Sequence, residues 1–320
     1  MDFVNGLRTF LRVVEAGTFS QAADQLSTSS AAVTRQIAAL EKHLEVRLLN
    51  RTTRKLSLTS SGEAFLPKAR HLLDEIDDAV NFARDKPKDV SGTLRLTAPM
   101  SFGLAELAPV LSGFRKQNPR LRLDVDLSDR VLDLAASGFD VALRIAHEPS
   151  PQLIARRIAP VPLVLCASPS YLRRRGAPRH PAELSQHETL SYSYLAWGQT
   201  WPLMDSTKQT VNVRIEPLVS ATNGDVLRDL AVTGEGIILQ PAFIVRRDLE
   251  QGKLVPVLPG WKAPELSLFA IYLSHRQLSG KVRAFVDYLV ETIGEDSRWS
   301  VAEIPKSGRS GAAGRRASRS

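Results

Sequence analysis

Ser30, Ala31, Thr34 and Arg35 share one face of a short amphipathic segment, and together they have the chemistry of a DNA reader. A helix entering the major groove needs small or hydroxyl residues at base edges and cations at guanine or phosphate. Ser30 and Thr34 supply hydroxyls, Ala31 and Ala38 permit close approach, and Arg35 can reach guanine or a phosphate. Free N–H groups at the start of such a helix also favour a phosphate. Arg51, Arg54 and Lys55 then concentrate cations on one short loop. A basic tip of this kind suits the narrow minor groove.

The elements that must hold these residues are legible around them. Phe3, Leu7, Phe10, Val13 and Val14 recur with a helical period that predicts a helix over 3–16, stopped at Gly17. Ser20 is expected to cap a short helix, Gln21 to Leu26, and Ser27 with Thr28 to make a turn. Ser29 is expected to cap a third helix, Ser30 to about Leu44, which buries Val33, Ile37, Leu40 and Leu44. Leu48–Leu49 and Leu56 to Thr59 can pair as strands around the basic loop. A polar helix face or an arginine-rich turn is by itself ordinary. Helix, turn, helix and basic hairpin in this order read as a winged helix-turn-helix over residues 1–60, with double-stranded DNA as its partner.

Ser60-Ser61-Gly62-Glu63 has the spacing of a capping box. It opens a long helix, expected to run to about Lys86 and assigned to a dimerisation linker over 61–88. Phe65, Ala69, Leu72, Ile76, Ala79 and Ala83 alternate three and four apart, a near-heptad seam suited to a second helix. Packing on its own chain is the alternative. Pro87 to Gly92 reads as a breaker-rich linker.

From Thr93 strands and helices alternate. Strands are expected at Thr93–Ala98, Leu121–Leu127 and Phe139–Ile145, with helices at Phe102–Gln117 and Val131–Ser137 between them. This order implies a parallel sheet covered by helices, an α/β arrangement. A second unit begins at Val161–Cys166 and continues through Gly224–Val232, Ile237–Leu239 and Ala242–Glu250. The strand Leu266–Leu273 and the helix Lys281–Thr292 close the fold.

In open α/β sheets ligands bind beyond the carboxyl ends of strands. The first strand ends at Ala98-Pro99-Met100-Ser101, directly before the helix that Phe102 opens; Met100, Ser101 and Phe102 are the candidates there, and Ser101 can either cap that helix or offer a carboxylate site. Thr222 and Asn223 follow another strand end and face it from the second unit, Asn223 doubling as a turn residue before Gly224. Gln240 stands at a third strand end.

Composition narrows the alternatives. A chain of 320 residues, 43% hydrophobic and 24% charged, is long enough for two or three packed domains. The net charge of +8 is less telling than it looks, because Lys306, Arg309, Arg315, Arg316 and Arg319 carry much of it in a Ser/Gly/Arg-rich stretch. Residues 295–320 are therefore expected to be a disordered basic tail. One cysteine, Cys166, excludes an internal disulfide, and the first residues lack the pattern of a signal peptide, so a cytoplasmic setting is expected. No apolar run approaches a membrane span. The histidines show no ligand spacing, Gly234-Glu235-Gly236 lies between a helix and a strand in the wrong order for a dinucleotide site, and no nucleophile elbow is present. Neither an enzyme nor a bound cofactor is implied.

Three segments carry a resemblance. Ala16 to Ala23 (Ala-Gly-Thr-Phe-Ser-Gln-Ala-Ala), Ala32 to Ile37 with Leu40-Glu41, and Arg47 to Arg54 resemble LysR-type transcriptional regulators. Gly92 to Pro99, Gly138 to Ile145 and Leu165 to Pro169 extend the similarity into the family's effector domain, so it covers about residues 2–293. The resemblance implies a bacterial regulator with a winged helix, a long dimerisation helix and a two-lobed domain like a periplasmic binding protein. Lobe I would take about 92–161 and 267–294, and lobe II about 162–266. It implies a homodimer or a tetramer of dimers, a small-molecule effector such as an organic or aromatic acid between the lobes, and RNA polymerase as a candidate partner. By the same resemblance Ser30, Ala31, Thr34 and Arg35 sit at base-reading positions and Arg54 at the wing position. Members often carry Gln-Ser where this chain has Ser30-Ala31, which removes a bidentate adenine reader and leaves the operator sequence open. Near the C-terminus, His275 to Gly280 departs from the family's usual pattern. The expected function is a ligand-responsive transcriptional regulator. The alternative is a two-lobed solute-binding protein without gene control.

Overall fold

The computed structural model describes residues 2–52, 55–83, 90–130, 133–149, 153–272 and 279–294. Its N-terminal part packs α1 (Phe3–Ala16), α2 (Phe19–Gln25) and α3 (Ser30–Leu44) around Leu7, Phe10, Val13, Val33, Ile37 and Leu40. Each such side chain contributes about 1.5–3 kcal/mol when fully buried. Thr18, not Ser20, caps α2 by accepting from the Gln21 N–H, so that helix begins earlier than expected. Ser29 does cap α3, accepting from the Ala32 N–H. Leu44 is only partly buried.

The hairpin strands β1 (Leu49–Thr52) and β2 (Lys55–Leu58) pair antiparallel, with Thr52 opposite Lys55. The strands therefore run further into the basic segment than expected, and Arg54 lies outside the described residues. The Glu41 carboxylate of α3 accepts from the N–H groups of Leu48 and Leu49, at 2.9 and 3.1 Å. The start of the wing is thus fastened to the third helix.

The helix α4 (Ser60–Ala83) follows. Thr59 does the capping assigned to the Ser60 box: its hydroxyl accepts from the Gly62 N–H at 3.0 Å. The expected seam is corrected at its N-terminal end. Ala69 is fully buried and Phe65 partly buried in the winged-helix core, with the Phe65 ring 5.8 Å from that of Phe10. Leu73, absent from the seam, is buried there too. Leu72 and Val80 are 43% and 42% exposed and Ile76 is partly buried, so the outward apolar line starts one turn later than expected. Ala83 ends the helix, and its side chain lies outside the described set.

Beyond the linker the chain builds two mixed sheets. In the first, β3 (Gly92–Ala98), β4 (Leu121–Leu127), β5 (Val141–Ala146), β6 (Ile154–Val161) and, late in the chain, β14 (Leu266–Tyr272) are ordered β4-β3-β5-β14-β6. The expected parallel pairs, β3 with β4 and β3 with β5, are present. The closing strand β14, to which the sequence assigned no direction, runs antiparallel to β5 and β6. The chain reaches β14 from the second sheet, so it enters from the opposite end. The helix after β3 is α5 (Met100–Phe102), a π-helical turn (Gly103–Leu107) and α6 (Ala108–Gln117) in succession. With α7 (Leu134–Ser137) and α11 (Gly280–Ile293), these form lobe I.

The second sheet has the order β11-β8-β12-β7-β13, from β7 (Leu163–Ala167), β8 (Thr189–Tyr192), β11 (Pro217–Ala221), β12 (Ile237–Pro241) and β13 (Val255–Pro256). It carries α8 (Pro169–Arg175), a 3₁₀ turn (Pro181–Gln186), the hairpin β9 (Thr200–Met204) and β10 (Thr210–Arg214), α9 (Gly224–Thr233) and α10 (Ala242–Glu250). This is lobe II. The strand β12 pairs parallel with β8 but antiparallel with β7. The long helix α4 touches α7 of lobe I, and Pro67 lies against Gly138, where an added Cβ would fall 2.9 Å from the proline Cβ.

Candidate nucleic-acid interface and interlobe cleft

The third helix presents the expected reading face as a side chain array on a fixed scaffold. Ser30, Ala31, Arg35 and Ala38 are exposed and Thr34 is partly exposed, while Val33, Ile37 and Leu40 anchor the opposite face. Gln36 is held back from this face: its Oε1 accepts from the Thr9 hydroxyl of α1 at 2.6 Å. Arg51 and Lys55 belong to the paired strands β1 and β2, although their side chains lie outside the described set. Lys42 and His43 stand in the last turn of α3, where cations complement the helix dipole.

The cleft forms where the strand ends of the two lobes meet. Ser101 is buried and is not a cap; Pro99 takes the cap position without a side-chain bond. The Ser101 hydroxyl instead donates to Asp225 Oδ2 of lobe II at 2.7 Å. Asn223 caps α9, its Oδ1 accepting from the N–H groups of Asp225 and Val226. Gln240 is 1% exposed, and its amide nitrogen has no hydrogen-bond partner among the described residues. Gly224 packs against it: a Cβ there would lie 2.8 Å from Gln240 Oε1 and 3.6 Å from Ser101 Oγ. Ser101, Asn223 and Gln240 thus converge on one junction. Phe102 is fully buried, with its ring edge-on to Phe243 of lobe II. Met100 and Thr222 are exposed.

Several cleft residues were missed from the sequence. Tyr192 at the end of β8 donates to Asp129 Oδ1 of lobe I at 3.1 Å, a second bond across the cleft. Burial, then the neighbouring Asp129, pushes the Tyr192 phenol well above its ordinary range. Behind this bond lies Arg144, whose pKa is lowered by burial against the opposing pull of Asp129 and Asp126. Asp129 follows the end of β4, so the strand-end rule could have found it. Tyr192 ends a strand left unassigned from sequence alone, although Leu190, Tyr192 and Tyr194 alternate there with Thr189, Ser191 and Ser193. Asp225 stands beside the chosen Asn223, but its partner is 124 positions away.

A winged helix-turn-helix ahead of a two-lobed α/β domain defines a class of DNA-binding regulators. The chain matches the family model "Bacterial regulatory helix-turn-helix protein, lysR family" over residues 4–63 and "LysR substrate binding domain" over residues 87–294. It belongs to the LysR-type transcriptional regulators, a non-enzymatic family of DNA-binding proteins that bind small-molecule effectors and form oligomers. It is 34% identical to the HTH-type transcriptional regulator CrgA of Neisseria meningitidis serogroup C (strain 8013), over 91% of this chain and 97% of that protein. It is 33% identical to an HTH-type transcriptional regulator of Xanthomonas campestris pv. campestris (strain 8004), over 94% and 89% respectively. Among solved structures it is similar to CrgA from Neisseria meningitidis, with a TM-score of 0.57 at 33% identity over 91% of this chain and 98% of that one. The full-length Vibrio cholerae virulence activator AphB gives a TM-score of 0.57 at 32% identity over 90% and 98%. The solute-binding alternative is set aside, because the N-terminal 60 residues are a helix-turn-helix of this family. Among the described residues no helix is long and apolar enough to cross a membrane.

Proposed function

We propose that this regulator reads a promoter as an oligomer, through Ser30, Ala31, Thr34 and Arg35 in the major groove and the Arg51–Lys55 wing in the minor groove. The observation that carries the reading is the small, cationic outer face of α3, free of core packing and braced to the wing by Glu41. An effector between the lobes then changes how the DNA is bound. The buried amide nitrogen of Gln240 beside Ser101, without a partner among the described residues, supports a ligand at that junction. The domain division follows: a reading head over 1–60, a linker helix over 61–88 and an effector domain over 92–294, with the tail beyond. The setting is the cytoplasm, where promoter DNA and RNA polymerase are at hand. Control is a population shift, so the effector must bind one arrangement of the oligomer more tightly than another.

A gel shift against the promoter beside its own gene, at about 50 and 200 mM salt, tests the DNA reading. The expected logarithmic slope is about −0.9 for every phosphate neutralised. Binding that is absent or insensitive to salt refutes it. Oligomerisation has a separate test. Leu72→Glu with Val80→Glu alters only exposed apolar positions of α4. Sedimentation should show a smaller assembly at an unchanged melting temperature, and the native assembly persisting would remove the seam.

A further inference from the structure

We propose that Thr9 is a positioning residue for DNA reading: through Gln36 it sets the roll of α3 about its own axis. This rests on α3 being the reading helix. Thr9 lies in α1 and is 1% exposed, so it cannot itself meet DNA. Its hydroxyl stands 2.9 Å from the Asn5 carbonyl of its own helix and 2.6 Å from Gln36 Oε1 of α3. One proton thus serves two acceptors. The backbone of α1 is tied to the side chain that directly follows Arg35.

Around this bond Leu7, Phe10 and Val13 of α1 share one apolar core with Val33, Ile37 and Leu40 of α3. Apolar burial is non-directional, so it holds the helix in place and leaves its rotation weakly fixed. A hydrogen bond has a preferred distance and angle, and a buried polar contact of this kind can fix register. The margin is narrow. The surface of a helix lies about 5–6 Å from its axis, so a roll of about 20° carries a reading side chain by about 2 Å. Contacts to a base have to be held within about 0.5 Å. Glu41 restrains the C-terminal half of α3 through the Leu48 and Leu49 N–H groups. Thr9 restrains it beside Arg35.

Positioning and folding are separable here. Gln36 is only partly buried, so water can satisfy its amide once the threonine hydroxyl is gone. Thr9→Val keeps the branched shape and releases the roll.

The test is a gel shift of the full chain on the promoter beside its own gene and on single-base variants of that site. The quantity read is the ratio of affinities for native and variant sites. Thr9→Val and Gln36→Met should each lower this ratio about fivefold or more, the lower end of what one bidentate base contact is worth. The salt slope should stay unchanged, since no phosphate contact is lost. Thr9→Ser keeps the hydroxyl and should stay within about twofold of the native chain. The double variant should be no worse than either single one, because both remove the same bond. Loss of folded protein lowers affinity equally at every site, and melting temperatures report it separately. If Thr9→Val does not fold, Gln36→Met decides. An unchanged ratio in the folded variants, or losses that add in the double variant, overturns the proposal. Arg35→Ala separates the two levels. If it weakens binding while Thr9→Val leaves the ratio intact, Thr9 is a packing residue and α3 remains the reader. If Arg35→Ala changes nothing either, the assignment of the reading helix fails.

Discussion

Arg35→Ala is expected to lower operator affinity by a hundredfold or more without altering the fold. Arg35 is exposed on α3, and no hydrogen bond or ion pair within the described chain uses its guanidinium. Its loss therefore leaves the core of α1 to α3 as it was. A bidentate arginine contact to guanine is worth about 1–3 kcal/mol, and an oligomer reading two half-sites loses it twice. Gel shifts on single-base variants of the operator distinguish the two chemistries open to the side chain. If Arg35 reads guanine, the variant loses discrimination at one base pair. If it holds a phosphate, affinity drops evenly across sequences and the salt slope becomes shallower. Affinity within threefold of the native chain would sink the assignment of α3 as the reading helix.

Lys281→Ala should cost the effector domain about 3–5 kcal/mol, as expected when one member of a buried ion pair is removed. The Lys281 side chain is 3% exposed and its ammonium lies 3.1 Å from Asp140, itself 11% exposed. It also donates to the Thr93 carbonyl at 2.9 Å. Its position in the first turn of α11 is otherwise poor for a cation, because it faces the positive end of the helix dipole. Asp140 in turn accepts from the Arg95 N–H at 2.8 Å. The pair thus joins α11 to β3 and the approach to β5. Urea denaturation measures the loss. Asp140→Asn added to Lys281→Met removes the stranded charge but keeps an acceptor for Arg95, and should recover part of it. A loss below about 1 kcal/mol for Lys281→Ala would mean that water reaches Asp140 in the variant.

The reading head was the most legible part of the chain, because its signals are local. The 3–16 helix, the Ser29 cap and the buried face Val33, Ile37 and Leu40 all follow from spacing within one or two turns. The errors there were shifts of a cap, from Ser20 to Thr18 and from Ser60 to Thr59, where a neighbouring hydroxyl residue competes for the same N–H groups. The linker seam was misread at Phe65 and Ala69. A heptad spacing states that a face is apolar but not which partner covers it, and Phe10 of the same chain was nearer.

The effector domain was legible in β3, β4 and β5, whose strands and crossovers are consecutive. The antiparallel β14 was not, since its register depends on where the chain re-enters after the whole of lobe II. The cleft was half visible. Strand ends pointed to Ser101, Asn223 and Gln240, and the structure brings them to one junction. That Ser101 meets an acid, or that Tyr192 meets Asp129, depends on pairs brought together only by the folded sheets.

Gly138 has a φ of +74° and offers no Cβ toward Pro67. That vacancy lets the shaft of the molecule seat directly on lobe I. Any larger residue there would have to prise the two apart. Lobe I is therefore clamped to the shaft, and among the described residues the hydrogen bonds from Ser101 to Asp225 and from Tyr192 to Asp129 tie lobe II to it at the cleft. Of the two halves, the one carrying Arg144 is the half seated on the shaft, and the one carrying Gln240 reaches the shaft's side of the molecule by way of it.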